Sequence, residues 1–418
     1  MRVLFTVSDW RGHYFCMVPL GWALQAAGHE VRVACTEGQR VPVSAAGLVP
    51  VPVLDSLDMP TMVRMMNYAE AVEGRRTAPG LPLHPYTGRP VRSLADFDVE
   101  TEAERFWARS DAAVRRSYDG AVELARDWRP DLVVHDLMTP EGALAAMLTG
   151  VPSVYHPPGL FGTVETEPGV DLGDGDPSGS FPRYGREPWS GTQIEYVIDT
   201  SPTAAAPPTG KARRLPERYV PYNGPGALPD WLARPPERPR VSVLWGNSSG
   251  AEADSVPALR AAIGALLDEG AEIVLTTGSG QADAIGELPA EVRVLRNFPL
   301  RLLLATCTAA VHHGSVNGLM TAAALGVPQL ALALNDEQYT VSTRMARTGA
   351  VVALRGLRAE PERVRAGALE VLTGQRPTGA ARAVCAELAA KPSPARLVKT
   401  LETLARTGGL DAPDVAAL

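Results

Sequence analysis

Residues 308–338 read TAAVHHGSVNGLMTAAALGVPQLALALNDEQ, and this stretch decides the fold. Residues 309–311 form a short apolar run that predicts a buried strand. His312, His313, Gly314 and Ser315 make a turn, and residues 317–325, rich in Ala, Leu and Met, predict a helix. Gly326 is placed to end that helix and Pro328 prevents its continuing. Residues 330–334 form a second apolar strand. The unit is strand, turn, helix, strand, with glycine where the helix begins. Such a helix start offers unpaired backbone N–H groups and a partial positive charge, which suits an anionic ligand. His313 adds a proton donor to the turn, and Glu337 and Gln338, after the second strand, stand within reach of hydroxyl groups. The plain alternative is that the glycines only permit close packing and the histidines are satisfied core residues.

The rest of the chain repeats the pattern. Residues 2–8 predict a buried first strand, residues 9–13 a turn containing Gly12, and residues 19–27 a helix with Pro19 at its start. Gly28 ends that helix, and residues 30–35 alternate as the next strand. Open α/β sheets bind ligands at the ends of such strands. A long helix is expected over 101–127, a strand over 131–135, then Asp136, a helix to Leu148, Gly150-Val151-Pro152, and a strand ending at His156. TGVPSVYH near the middle of the chain is of one kind with LGVPQLAL near its end. Two similar α/β domains are the natural reading.

Between these units the sequence is less regular. Residues 53–104 carry Met59, Met62, Met65 and Met66 with Phe97, followed by Phe106 and Trp107. Such clusters usually fill cores. Residues 159–190, rich in Gly, Pro, Asp and Glu, predict a long mobile loop. Pro235, Pro236 and Pro239 mark a domain boundary. Beyond it, residues 240–245 predict a strand, 246–250 its loop, 256–267 a helix, 271–276 and 292–295 strands, and 302–307 a short helix. Gly278 and Gly280 suggest a dinucleotide fingerprint, but its third glycine falls at Asp283.

Composition narrows the function. The chain has 418 residues, 45% hydrophobic and 21% charged, with a formal charge of −7 and no basic run. That excludes a typical nucleic-acid binder. Cys16, Cys35, Cys307 and Cys385 match no metal spacing and read as free thiols of a reduced compartment. The first residues lack a signal-peptide core, and no apolar run spans a membrane, so a cytoplasmic protein without membrane contact is expected.

The stretch quoted first resembles the nucleotide-sugar signature of GT-B glycosyltransferases, in particular the actinomycete enzymes that glycosylate macrolides, aromatic polyketides and other natural products. Their pattern is HHGGxGT, a helix, GVPQ, a strand, then an acid followed by Gln. Here it is matched by His312-His313-Gly314-Ser315, Gly326-Val327-Pro328-Gln329 and Glu337-Gln338. Val316-Asn317-Gly318 departs from it, although Asn317 matches an Asn found there in plant members. RGHYFCMVPLGWALQAAGHEV resembles the family's opening motif, and His13 occupies the place of its general base. YVPYNGPGALPDW, residues 219–231, resembles a strand and linker of the macrolide-type transferases.

The resemblance implies two Rossmann-like domains facing each other across a cleft. They are an acceptor domain, 1–228, and a nucleotide-sugar domain, 229–418, whose final amphipathic helix over 395–404 crosses back to the first. It implies donor contacts at Ser248, Phe298, His313, Gly314, Ser315, Asn317, Gly318, Glu337 and Gln338. Relatives stack a Trp on the base where this chain has Asn297, which leaves base stacking open. No metal is expected: the helix start with His313 can stabilise a departing diphosphate. His13 would take the acceptor's proton, with Asp136 orienting it or acting as base itself. The alternatives are a capping or packing role for His13 and a helix cap for Asp136. His29, His84, His135 and His156 read as structural or surface residues. The 53–104 region would line the acceptor cleft.

The reading is therefore an inverting transferase that moves a sugar from a TDP- or UDP-sugar, a TDP-deoxysugar favoured, to a hydrophobic secondary-metabolite aglycone. A C-glycosyltransferase of an aromatic polyketide is the closest rival. A nucleotide-cofactor oxidoreductase and a non-catalytic helper subunit are further ones. Some relatives need a cytochrome-like helper protein, and a helper or a homodimer stays open.

Overall fold

The structure is a computed structural model of the chain. It describes all residues except 57, 77–79, 172–175, 177, 247–254, 279–284, 413 and 415–418. The first sheet contains β1 (Arg2–Thr6), β2 (Glu30–Thr36), β3 (Val49–Leu54), β4 (Leu132–His135), β5 (Ser153–Tyr155), β6 (Tyr196–Asp199) and β7 (Arg213–Pro216). The second contains β8 (Arg240–Trp245), β9 (Glu272–Thr277), β10 (Arg293–Arg296), β11 (Ala309–His312), β12 (Gln329–Ala333) and β13 (Val351–Arg355). Every pairing among them is parallel. Helices cover both faces of such sheets, so their central strands read as unbroken apolar runs. All four residues of β4 and all six of β8 are buried.

The strand orders are β3-β2-β1-β4-β5-β6-β7 and β10-β9-β8-β11-β12-β13. In each sheet the order reverses between its first and fourth strands. These switch points lie between β1 and β4, where Thr6 pairs with His135, and between β8 and β11, where Leu244 pairs with His312. A crevice opens beyond the strand ends at such a point. His13 and Asp136 follow the strands of the first switch point, and His313 those of the second.

Glycines set the chain reversals on which this depends. Gly28, Gly150 and Gly326 have φ of 84°, 72° and 69°, in the left-handed region where a side chain is strained, and each follows a helix. The final helix, Pro394–Thr407, packs on the helix Val18–Ala26 of the first half, as expected. Glu402 meets His29 at 2.8 Å, and the Leu410 N–H donates to the Tyr196 hydroxyl at 3.0 Å.

Two expectations are corrected. Residues 219–229 form no strand; β7 ends before them, and Pro221, Pro225 and Pro229 withhold the N–H groups a ladder needs. Trp231 lies instead in the short helix Asp230–Ala233. The loop expected to be mobile is held down over its first part. Arg344, 1% exposed in the helix Asp336–Ala346, pairs with Glu165 at 2.6 Å and with Glu167, and donates to the Leu160 carbonyl at 2.8 Å. The acidic composition that suggested a solvated loop supplies the counter-ions of a buried guanidinium.

Candidate active site

Beyond the first switch point is a cavity, at the place where doubly wound sheets bind ligands. His13 borders it from the short helix Arg11–Tyr14. Ser8, Asp9, Met59, Ser117 and Glu141 are among its other walls. That helix also lies against the helix Val316–Ala324, so the candidate base meets the second half of the chain.

His13 Nδ1 is buried without a hydrogen-bond partner. Burial lowers the pKa of the ring and the negative charge of Asp136 opposes the shift, so the imidazole is neutral and able to accept a proton at neutral pH. Asp136, fully buried, makes no hydrogen bond to that nitrogen. Its Oδ2 accepts from the Ser8 N–H and hydroxyl, both at 2.8 Å. Its Oδ1 accepts from the Met138 N–H at 2.8 Å and the Thr139 hydroxyl at 3.0 Å. A carboxylate so occupied acts on His13 through charge. It is not the helix cap either, because Pro140 holds that position.

The methionine run divides. Met59 lines the cavity, Met65 packs in a small core with Tyr68, Val99 and Phe106, Met62 lies against that core, and Met66 is half exposed. Sequence reasoning missed Ser8, Asp9, Ser117 and Glu141 as cavity walls. The position of Ser8 and Asp9 just past β1 was the available signal. Asp9 is fixed by hydrogen bonds from Thr36 and Ser56.

Beyond the second switch point lies the glycine turn. Gly314 has φ of 87°, and a Cβ there would stand 2.8 Å from Ser342 Oγ and 3.1 Å from the Gln338 carbonyl oxygen, so only glycine fits. His312 locks the turn: its Nδ1 accepts from the Gly314 N–H at 3.0 Å, which leaves Nε2 to donate to Gln329 Oε1 at 2.9 Å. His313 Nδ1 lies 3.3 Å from the Leu244 carbonyl oxygen, which can only accept, so the proton sits on Nδ1. Burial lowers the pKa of His313 to about 4. Ser315 precedes the helix Val316–Ala324, makes no side-chain cap, and is followed by no acid in the first turn. A Cβ on Gly318 would come within 3.0 Å of Ser315 Oγ.

The other sequence-derived residues have separate surroundings. Asn317 Oδ1 accepts from Tyr219 at 3.0 Å, Asn223 at 2.9 Å and Thr321 at 3.3 Å, so its side-chain oxygen ties the helix to the linker. Glu337 lies in the first turn of Asp336–Ala346, and burial raises its pKa to about 7. Gln338 Oε1 accepts from the Leu334 N–H at 2.9 Å. Phe298 follows Asn297, whose φ is 49°, and its ring joins Trp231 and Leu295 around a small core. Ser248 lies outside the described residues.

The four histidines read as structural have local partners. His29 meets Glu402; His156 lies 3.1 Å from Glu217; His135 packs on Tyr155 and Trp189; His84 packs on Phe97. Among the described residues, no group of three or more His, Cys, Asp or Glu side chains is placed to hold a metal, and no helix is long and apolar enough to cross a membrane.

Comparison with known proteins gives one answer over the whole chain. Residues 22–246 match the model of the erythromycin biosynthesis protein CIII-like N-terminal domain, and residues 260–404 that of its C-terminal domain. The L-demethylnoviosyl transferase of Streptomyces niveus is 35% identical over 96% of this chain and 97% of its own. The 3-alpha-mycarosylerythronolide B desosaminyl transferase of Saccharopolyspora erythraea is 31% identical over 97% of this chain and 98% of its own. The crystal structure of the glycosyltransferase VinC in complex with DTDP superposes with a TM-score of 0.71 at 29% identity, covering 97% of this chain and 100% of that one. The chain belongs to the erythromycin biosynthesis protein CIII-like family and is a glycosyltransferase of GT-B fold.

Proposed function

We propose that this chain moves a sugar, with inversion, from a TDP-sugar to a hydroxyl of a polyketide or related aglycone. The observation that carries the reading is the contact between the two switch points: a neutral His13 on the wall of a cavity lies on a helix packed against the anion-ready helix Val316–Ala324. The names of the relatives and the DTDP of the VinC structure support the donor and acceptor classes.

Each residue then has a task. An alcohol attacks poorly until its proton is leaving, and His13 takes that proton; a positioned base contributes about 10²–10⁴ in rate. Asp136 stabilises the imidazolium that forms. The diphosphate departs toward the N–H groups at the start of Val316–Ala324, preorganised donors worth roughly 10²–10³ in rate each, and toward His313, which takes up a second proton as that charge arrives. Glu337 and Gln338 face the sugar hydroxyls, and Phe298 presents its backbone to the pyrimidine. Ser248 is the second phosphate contact. No divalent ion is needed, because this charge stabilisation is already supplied.

The test is incubation with a panel of TDP- and UDP-sugars and of macrolide and aromatic aglycones, with and without EDTA, read by mass spectrometry. Acid-labile glycosides that form equally in EDTA are expected. Acid-stable products would instead indicate transfer to carbon, and no product from any pair would overturn the reading.

A further inference from the structure

Glu141 is a wall of the acceptor cavity to which the mechanism gives no task. It is 8% exposed, opens the helix Glu141–Thr149, and its Oε2 has no hydrogen-bond partner. Nearby on the helix Val99–Trp128, the fully buried Tyr118 hydroxyl is also unpartnered, and Ser117 beside it lines the cavity. A buried polar atom without a partner is costly, and native interiors keep few of them. Here the unpartnered oxygen belongs to a residue that borders the cavity.

We propose that Glu141 is a specificity-determining residue that hydrogen-bonds a carbonyl oxygen of the acceptor while His13, on the same cavity, receives the reacting hydroxyl. The partner chemistry is a hydroxy-ketone or hydroxy-quinone, and the inference rests on the transferase reading above. Burial, with the charges of Asp136 and Asp176 adding to it, raises the pKa of Glu141 to about 8, so the group is a neutral acid that donates its proton. An ionised Glu141 would accept only, and would repel a carbonyl oxygen. The titratable neighbours on the surrounding elements are Asp136 beyond β4, Asp176 in the loop after β5, Tyr118 on the long helix, and His13 across the cavity. Glu141 is expected to change charge between pH 7 and 9.

The test is direct titration of the full chain with two probes of one outline, a hydroxyanthraquinone and the corresponding hydroxyanthracene, without sugar donor. Transfer by the wild-type protein is measured separately, so failure of the transferase reading shows there and not in the binding data. Glu141→Ala should weaken quinone binding roughly 3- to 10-fold, the worth of one hydrogen bond, and leave the anthracene unchanged. Glu141→Gln, which keeps an N–H donor, should bind the quinone like the wild type. Wild-type quinone affinity should fall as pH rises through about 8, and Glu141→Gln should lose that dependence. Equal quinone affinity in wild type and a folded Glu141→Ala would overturn the proposal. Should Glu141→Ala fail to fold, an unaltered pH dependence in Glu141→Gln would overturn it.

Discussion

After β4 and after β11 the chain runs through one unit twice: strand, polar turn, nine-residue helix, Gly-Val-Pro, strand. Both copies flank a switch point, and both helices are followed by a left-handed glycine, Gly150 and Gly326. They differ in charge at the helix start. The first copy has Asp136 in its turn and Glu141 in the first helical turn. The second has His312, His313 and Gly314 in its turn and no acid in the first helical turn. A helix N-terminus attracts anions, but two acids already occupy the first copy. On the function proposed above, a few turn residues decide which of the two positions takes a diphosphate and which takes an uncharged acceptor.

The division of labour is broken most severely at the base. His13→Ala should lower turnover of an aliphatic alcohol acceptor by about 10²–10⁴ while TDP-sugar affinity stays intact, because the donor contacts lie in the other copy. A phenolic acceptor should lose less, since its oxygen ionises more readily. In the wild type, turnover should rise with pH along a limb below 6.5, because burial depresses the His13 pKa more than Asp136 raises it. Steady-state kinetics against pH, with calorimetry of the donor, checks both points. Near-normal turnover by His13→Ala would remove it from the chemistry.

A second substitution makes the second copy like the first. Ser315 precedes its helix without a side-chain cap. Ser315→Asp should cap the helix and leave the melting temperature equal or higher, yet place a carboxylate where the diphosphate sits. Juxtaposed like charges cost several kcal/mol, so TDP affinity should fall by about 10²-fold or more. Unchanged affinity would place the phosphates elsewhere.

The gentlest test concerns His313. It is neutral in the free protein, its pKa lowered to about 4 by burial. A bound diphosphate offsets that burial and raises the pKa, so binding takes up a proton. TDP-sugar affinity should therefore fall as pH rises, by at most tenfold per unit, from about 4 up to the pKa of the complex. Calorimetry in buffers of different ionisation enthalpy should show proton uptake in the wild type and none in His313→Gln. Buffer-independent enthalpies in the wild type would contradict the assignment.

The second copy was legible in the sequence because its information is local: Gly314, the helix and Gly326-Val327-Pro328 carry their own backbone requirements. The doubly wound fold was legible for a similar reason, since apolar strands and glycine-ended helices alternate along the chain. Of the first site only His13 and Asp136 were singled out, and its other walls were missed, because its parts meet over long separations. Ser8 donates to Asp136 across 128 residues, and Glu141 shares a cavity with His13 and Ser117. Glu141 looked like an ordinary acid at a helix start; only burial and a missing partner mark it out. The Arg344 clamp was hidden in the same way, because composition alone does not show that Glu165 and Glu167 face a buried cation.

The most direct measurement is amide hydrogen exchange of the full chain with and without TDP. Slowed exchange is expected at residues 314–319, where the nucleotide would cover the helix start of the second copy, and no change at 136–143 in the first. Slowing confined to 136–143, with 314–319 unaffected, would contradict the assignment of donor and acceptor to the two copies.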